Sequence, residues 1–317
     1  MSSTVGRDET VLVIGAGTMG RGIAQVAAAA GYATRLFDVD RAVAEAAVER
    51  IGASMQRRVD KGKMEPDARR STLDRLDVSD DLAAAAKGVA WAIEAVPENM
   101  DLKEKVLGAV RDAAPSGAIL GSNTSSLSIT ELGRRLDVGP RCLGMHFFNP
   151  PPAMPLLELV RGLHTSGDTL EKGRAFAEAI GKTPIVVNDS PGFATSRLGV
   201  AIGAEAIRML ESSVASVEDI DRAMELGYRH PMGPLKLSDL VGLDVRLAIL
   251  EHLHREVGEQ FRPPTLLRQM VRAGWVGKKA GRGFYRWTDD GPVATDPRTC
   301  ATCCRRGRGP RRSPSRA

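Results

Sequence analysis

His146 and Glu158 are the one imidazole and the one carboxylate in LGMHFFNPPPAMPLLELV, residues 143 to 160, a stretch otherwise of small and apolar residues, prolines and one asparagine. A lone histidine beside two phenylalanines is most often a packed one. The spacing argues for more. Each lies six positions from Pro152, so if the chain doubles back about the loop NPPPAMP the two face one another across an antiparallel strand pair. A carboxylate against an imidazole fixes its tautomer, stabilises the ring once it takes up a proton, and makes it a competent general base for a substrate hydroxyl.

A second pattern gives that base a setting. Gly15, Gly17 and Gly20 form G-x-G-x-x-G between the apolar run TVLVIG and the alanine-rich stretch IAQVAAAAG. The glycines permit a tight turn and close backbone approach to a pyrophosphate, whose charge a helix N-terminus stabilises. Asp38 ends the next apolar run, ATRLFD, 23 residues after Gly15, close to the ~20-residue offset of an acid that binds the adenosine ribose hydroxyls. Such an acid repels a 2'-phosphate, which favours NAD over NADP. Beside a dinucleotide site, His146 and Glu158 read as a catalytic pair.

The elements that must hold these residues follow from hydrophobic period. Residues 10 to 40 read as strand, glycine turn, helix and strand; a long helix follows from Arg41 to about Gly62, and a second helical segment runs to about Leu76. GVAWAIEAVPE is then a buried strand, Asp101 to Ala113 a helix and GAILGSN a further strand. Alternation of strands and helices argues for an α/β fold, a Rossmann-type doubly wound sheet covered on both faces, extending to about Asn188. From Ser190 the strand signal stops. Segments 192 to 213, 217 to 227, 238 to 257 and 263 to 273 show helical spacing, which predicts an all-helical second domain. The expected division is thus 1–188 for cofactor binding, 189–289 for a helical domain and 290–317 for a disordered, arginine-rich tail.

The chain has 317 residues and a formal net charge of +5, but the excess is local. Six of the 44 basic residues and none of the 39 acidic ones lie in CATCCRRGRGPRRSPSRA, residues 300 to 317, so the body is close to neutral. The tail has no aromatic residue to stack a base and no folded motif beside it, which weighs against nucleic-acid binding. Cys300, Cys303 and Cys304 lack the histidine or second cysteine pair of a zinc site, and the body holds only Cys142. No metal is expected. Nor is there a secretory signal or an apolar run of the roughly 18 residues that a membrane helix needs; the expected compartment is the cytoplasm.

Taken together, GAGTMGRGIA, VPENMDLK, SNTSSLSIT, HFFNPPPAMPLLELV, DSPGF, RHPMGPLKLSDLVGLD and GKKAGRGFY resemble, in this order, the L-3-hydroxyacyl-CoA dehydrogenases, especially the bacterial 3-hydroxybutyryl-CoA dehydrogenase branch. The resemblance covers roughly residues 10 to 287. It implies that His146 and Glu158 are the catalytic pair, that Ser125 contacts the substrate near the nicotinamide, and that Asn149 belongs to the same site, among the cofactor-binding residues. It also implies NAD contacts from Glu98, Lys103 and Lys279, coenzyme A contacts from Ser54 and Lys61, and a homodimer formed through the helical domain. Arg57 and Arg58 lie near Ser54 and Lys61 on the same helix, a basic face suited to the phosphates of coenzyme A. One position departs from the family: after P-G-F its best-known members carry an asparagine that hydrogen-bonds the substrate, where this chain has Ser196, a shorter side chain with only a hydroxyl to offer.

The expected reaction is reversible, NAD-dependent oxidation of a short-chain (3S)-3-hydroxyacyl-CoA to the 3-ketoacyl-CoA. Other readings stay open from sequence: a dehydrogenase of a free hydroxy acid, similar to L-gulonate dehydrogenase, one acting on an acyl group held by a carrier protein, or an NAD-bound structural protein.

Overall fold

Alternate residues of Thr10–Ile14 (β1) serve two cores: Val11 and Val13 pack in one apolar cluster, Leu12 and Ile14 in another. A strand buried on both faces belongs inside a sheet with helices on each side. The computed structural model describes residues 8–298, and the chain divides after Phe193 into two units, five residues later than the spacing of apolar residues suggested.

In the first unit β1 is followed by α1 (Thr18–Ala29), β2 (Ala33–Phe37), α2 (Arg41–Asp60), α3 (Pro66–Leu73), β3 (Leu76–Ser79), α4 (Leu82–Ala86), β4 (Trp91–Glu94) and α5 (Met100–Ala113). Then come β5 (Ile119–Ser122), α6 (Ile129–Arg135), β6 (Cys142–Phe147), β7 (Leu156–Arg161), α7 (Gly167–Ala179) and β8 (Thr183–Asn188). The strands form one sheet in the order β3-β2-β1-β4-β5-β6-β7-β8. Ile23 and Ala27 of α1, Ala44 and Ala47 of α2 and Phe176 of α7 cover one face; Ala86 of α4, Leu107 and Val110 of α5 and Ile129 and Leu132 of α6 cover the other.

Strands β1 to β6 run parallel, whereas β7 pairs antiparallel with β6, and β8 parallel with β7. The loop 148–155 between β6 and β7 is shorter than the dozen or so residues of a helical crossover, so β7 must return beside β6. The strand order reverses direction at β1 and β4, and in an open α/β sheet ligands bind outside the carboxyl ends of the strands at that point. The glycine turn follows β1, Glu98 follows β4, Ser125 follows β5, and His146 lies at the end of β6.

The second unit holds α8 (Thr195–Glu211), α9 (Val217–Arg222), α10 (Pro234–Val241), α11 (Leu243–Glu256) and α12 (Thr265–Arg272), then an antiparallel hairpin of β9 (Tyr285–Thr288) and β10 (Gly291–Ala294). Val200, Ile207, Leu250, Leu253, Leu267, Met270 and Phe284 share its core. The helix expected over 238 to 257 is two: Gly242, at φ +105°, breaks it. Residues 290–298, expected to belong to a disordered tail, are ordered. Strand β10 pairs with β9, Thr295 donates its amide to the Phe284 carbonyl, and the Arg298 guanidinium reaches the Leu210 carbonyl and the Ser213 hydroxyl. The arginine-rich remainder, with Cys300, Cys303 and Cys304, lies outside the described residues.

Candidate active site

Register puts His146 directly opposite Glu158 in the β6–β7 pair. Their side chains meet with Nδ1 2.6 Å from a carboxylate oxygen of Glu158, which is fully buried, while His146 is 7% exposed. An ionised carboxylate only accepts, so Nδ1 carries the proton and the lone pair of Nε2 remains available. The Phe148 ring lies 4.6 Å and the Phe193 ring 5.9 Å from the imidazole centroid. These aromatic walls keep the pair dry, which strengthens a charge contact.

The loop after His146 is pinned from beneath. Lys182, which precedes β8, donates to the carbonyls of Pro151 (2.5 Å) and Met154 (2.7 Å). It is 8% exposed, and burial lowers the pKa of its ammonium. Asn149 opens this loop, is exposed, and precedes a cis peptide bond to Pro150. A contact also ties the loop to α1: a Cβ on Gly22 would stand 2.6 Å from Cδ of Pro151.

At the glycine turn the sequence requirement is steric. Gly15 has φ +96°, and a Cβ there would meet the Ala95 carbonyl at 2.8 Å; one on Gly20 would lie 1.7 Å from the Gly15 carbonyl oxygen. Gly17 differs, because a Cβ there would meet nothing within 4 Å, so its backbone borders open space. Helices α2, α4, α5, α6 and α7 are capped by Asp40, Asp81, Asn99, Ser128 and Ser166, whereas α1, with Gly17 at its N-cap, and α3 have no side-chain cap; the N-terminus of α1 faces the glycine turn. Its first-turn N–H groups are left for an anion. Half-buried Asp38 accepts the Ala16 amide (2.7 Å) on one oxygen and the Asp40 amide (3.2 Å) on the other. Open backbone, uncapped donors and an acid at the end of β2 fit a dinucleotide.

Ser125 sits on a loop organised by Glu98. One Glu98 oxygen accepts from the Thr124 hydroxyl (2.7 Å), the Ser125 amide (2.9 Å) and hydroxyl (3.2 Å), and the Ser126 amide (3.2 Å) and hydroxyl (3.0 Å). The other lies 3.3 Å from Nζ of Lys103. Burial pushes the Glu98 carboxyl up, but the Lys103 charge and these hydrogen bonds outweigh it and hold the pKa below its ordinary value. Lys103, expected among the cofactor contacts, is 1% exposed and bound to both oxygens of Glu94 at 2.8 and 2.9 Å, so it offers a ligand no surface of its own. The residue that precedes Thr124, Asn123, accepts the Phe147 amide at 2.9 Å and so joins the Ser125 loop to the strand of His146.

Sequence reasoning passed over Glu94 and Asn123. A glutamate closing the apolar run AWAI was the available signal for Glu94; Asn123 gave none beyond its place in SNTSS.

The coenzyme A positions separate. Ser54 lines a cavity of about 360 Å³ between α1, α2 and the proline loop, with Arg21, Arg50, Arg57 and Pro151. None of its lining residues is acidic. Lys61, at the C-terminal cap of α2, is exposed and outside the lining. In the second unit, Ser196 lies in the first turn of α8, and Lys279 pairs with Asp244 at 2.6 Å. Among the described residues no cluster of three metal-ligating side chains occurs.

Comparison with known proteins gives the chain its relatives. Residues 10–190 match the family model of the 3-hydroxyacyl-CoA dehydrogenase NAD-binding domain, and residues 192–287 that of the 3-hydroxyacyl-CoA dehydrogenase C-terminal domain. The 3-hydroxybutyryl-CoA dehydrogenase of Mycobacterium tuberculosis is 41% identical over 282 residues, 88% of this chain and 98% of that one. The 3-hydroxyadipyl-CoA dehydrogenase of Escherichia coli is 38% identical over 281 residues, 88% of this chain and 59% of the longer relative. Among solved structures, the (S)-3-hydroxybutyryl-CoA dehydrogenase of Ralstonia eutropha superimposes with a TM-score of 0.86 at 41% identity, covering 89% of this chain and all of that one.

Proposed function

This chain belongs to the 3-hydroxyacyl-CoA dehydrogenase family, and from that premise we propose how its own residues carry the reaction. The protein is an NAD-dependent oxidoreductase that oxidises a 3-hydroxyacyl-CoA to the 3-ketoacyl-CoA. We read the substrate as a short-chain ester, 3-hydroxybutyryl-CoA, the compound named for its bacterial relatives.

His146 takes the proton of the C3 hydroxyl on Nε2, and in the reverse direction returns it to the forming alkoxide. Glu158 holds the ring by Nδ1–H and stabilises the charge it acquires. Ser125 places the reacting oxygen against His146. Bound NAD supplies the hydride acceptor. Gly15, Gly17 and Gly20 with the first turn of α1 hold its pyrophosphate, Asp38 its adenosine ribose, and Glu98 and Asn149 border its nicotinamide end. Ser54, with Arg57, holds the phosphates of coenzyme A, and Lys61 screens them from the end of α2. Ser196 and Lys279 rest on the family pattern alone, as substrate and cofactor contacts.

The observation that carries this reading is the 2.6 Å His146–Glu158 contact in register across β6 and β7. The test is NADH consumption with acetoacetyl-CoA, acetoacetyl carrier protein and free acetoacetate, beside NAD reduction with L-gulonate, followed by 3-ketoacyl-CoA esters of increasing length. Rapid turnover of acetoacetyl-CoA and none of the free acids is expected; faster turnover of L-gulonate or acetoacetate would move the enzyme to the free hydroxy acids, and turnover confined to carrier-protein thioesters to a biosynthetic role.

We also infer a cytoplasmic homodimer. Leu198 and Ile202 of α8, Leu237 and Val241 of α10 and Val245 of α11 are each at least 39% exposed, apolar surface that a second copy would cover. No helix among the described residues is long and apolar enough to cross a membrane. Sedimentation at micromolar concentration should give a dimer, and a monomer would remove that inference.

A further inference from the structure

We propose that Glu94 is a positioning residue of this reaction: with Lys103 it forms a buried clamp that fixes Glu98 and, through Glu98, the hydroxyl of Ser125. The inference rests on the reading of Ser125 as the residue that meets the substrate oxygen.

Glu94 ends β4 with no exposure to solvent. Both its oxygens accept from Nζ of Lys103. One also accepts a short hydrogen bond from the Ser122 hydroxyl, and the other the Val96 amide at 3.1 Å. The carboxylate is thus saturated by donors from three directions, and a buried charge held in this way has one orientation.

Lys103 has three N–H donors, and where its ammonium sits is decided by the two oxygens of Glu94. What remains faces Glu98 at 3.3 Å. Glu98 in turn gathers the loop Thr124–Ser126 on its other oxygen. A serine hydroxyl has a single proton to give; without substrate that of Ser125 is given to Glu98, so the orientation of Glu98 sets where the hydroxyl stands before it turns its proton to the substrate oxygen. A second route runs in parallel: the Ser122 hydroxyl that donates to Glu94 accepts the Thr124 amide at 3.3 Å.

Burial raises the Glu94 carboxyl against the opposing Lys103 charge, whereas Glu98, which shares that lysine, is held below its ordinary value.

Glu94→Gln keeps the size of the side chain but places an N–H₂ group where donors from Lys103, Ser122 and Val96 converge, and it hands the ammonium to Glu98. Displacement of Ser125 should lower kcat for acetoacetyl-CoA reduction by about ten- to a hundred-fold, since errors of about 1 Å in placing reacting groups have costs of that order. NADH affinity, read by fluorescence titration without substrate, should fall by much less than kcat, because Glu98 borders only the nicotinamide end while the glycine turn and Asp38 hold the rest of the cofactor, and neither Glu94 nor Lys103 presents a surface to it.

The discriminating measurement is a double-mutant cycle with Ser125→Ala. If Glu94 acts through Ser125, Glu94→Gln in the Ser125→Ala background should cost less than about two-fold in kcat. Losses that multiply in full would overturn the inference and leave the role of Ser125 standing, as would a defect confined to NADH affinity. If Ser125→Ala alone leaves kcat unchanged, the reading beneath the inference has failed and the inference falls with it. Should Glu94→Gln not fold, the charge-balanced pair Glu94→Gln/Lys103→Gln carries the same cycle and the same outcomes.

Discussion

An imidazole whose Nδ1 is 2.6 Å from a fully buried carboxylate has one nitrogen left to work with. His146→Gln should therefore bind NADH as the native enzyme does and lose most of kcat, about three orders of magnitude as for removal of a general base of middling efficiency. Survival of turnover within a few fold would show that another group takes the proton. Glu158→Gln keeps the shape but lets the tautomer of His146 float, so it should lower kcat and move the pH profile; an unchanged profile would count against the pairing. This face-to-face placement was legible in the sequence because two residues equidistant from Pro152 must meet if the chain turns there. The Glu94–Lys103 pair was not. Nine positions separate a strand residue from a helix residue, and no period relates positions on different kinds of element; only the fold brings their charges together.

Between elements, α1 lies tightly against the loop that joins β6 to β7. Gly22→Ala would set a methyl group 2.6 to 3.0 Å from three atoms of the Pro151 ring, and Lys182 holds that segment from the other side, so the loop has little room to yield. Overpacking of this kind costs about 1–3 kcal/mol. A lower midpoint in urea, together with a fall in kcat, is expected; an unchanged midpoint would show that the gap opens freely. Long, strongly periodic elements such as α2 and α5 were readable within a few residues. Strand β3 was not, because LDVS is a four-residue edge strand with no residue fully buried. Strand β10 was hidden by a glycine and a proline, which suit an edge but argue against a strand in sequence.

For the whole molecule, composition located the charge excess in the last 18 residues but wrongly assigned residues 290–298 to a disordered tail. Arg298 ties the segment after β10 to the end of α8 through the Leu210 carbonyl and the Ser213 hydroxyl, so truncation after residue 298 and truncation after residue 289 are different experiments. The first should leave the melting temperature and kcat intact. The second removes β10 with its pairing to β9, and each lost kcal/mol lowers Tm by about 2–4 °C in a chain of this size; equal melting temperatures for the two would show that the hairpin contributes nothing. The two-part organisation was legible because strand periodicity ends near Asn188, whereas the boundary falls after Phe193 because the turn 189–193 packs its last side chain into the first unit: Phe193 shares a cluster with Leu12 and Leu107, and no local pattern announces such a contact.

The two hydrogen bonds of Asp38 bear on how this lineage could change its redox currency. The carboxylate proposed to discriminate against a phosphorylated ribose also latches the amide of Ala16 inside the glycine turn, so on that proposal selectivity and loop shape change together. A variant drifting toward NADP through Asp38→Gly or Asp38→Ala would lose the latch at the moment it relaxed the choice. Asparagine keeps an acceptor for that amide while shedding the charge. A library that randomises position 38 should therefore favour uncharged side chains that keep an oxygen acceptor within reach of that amide.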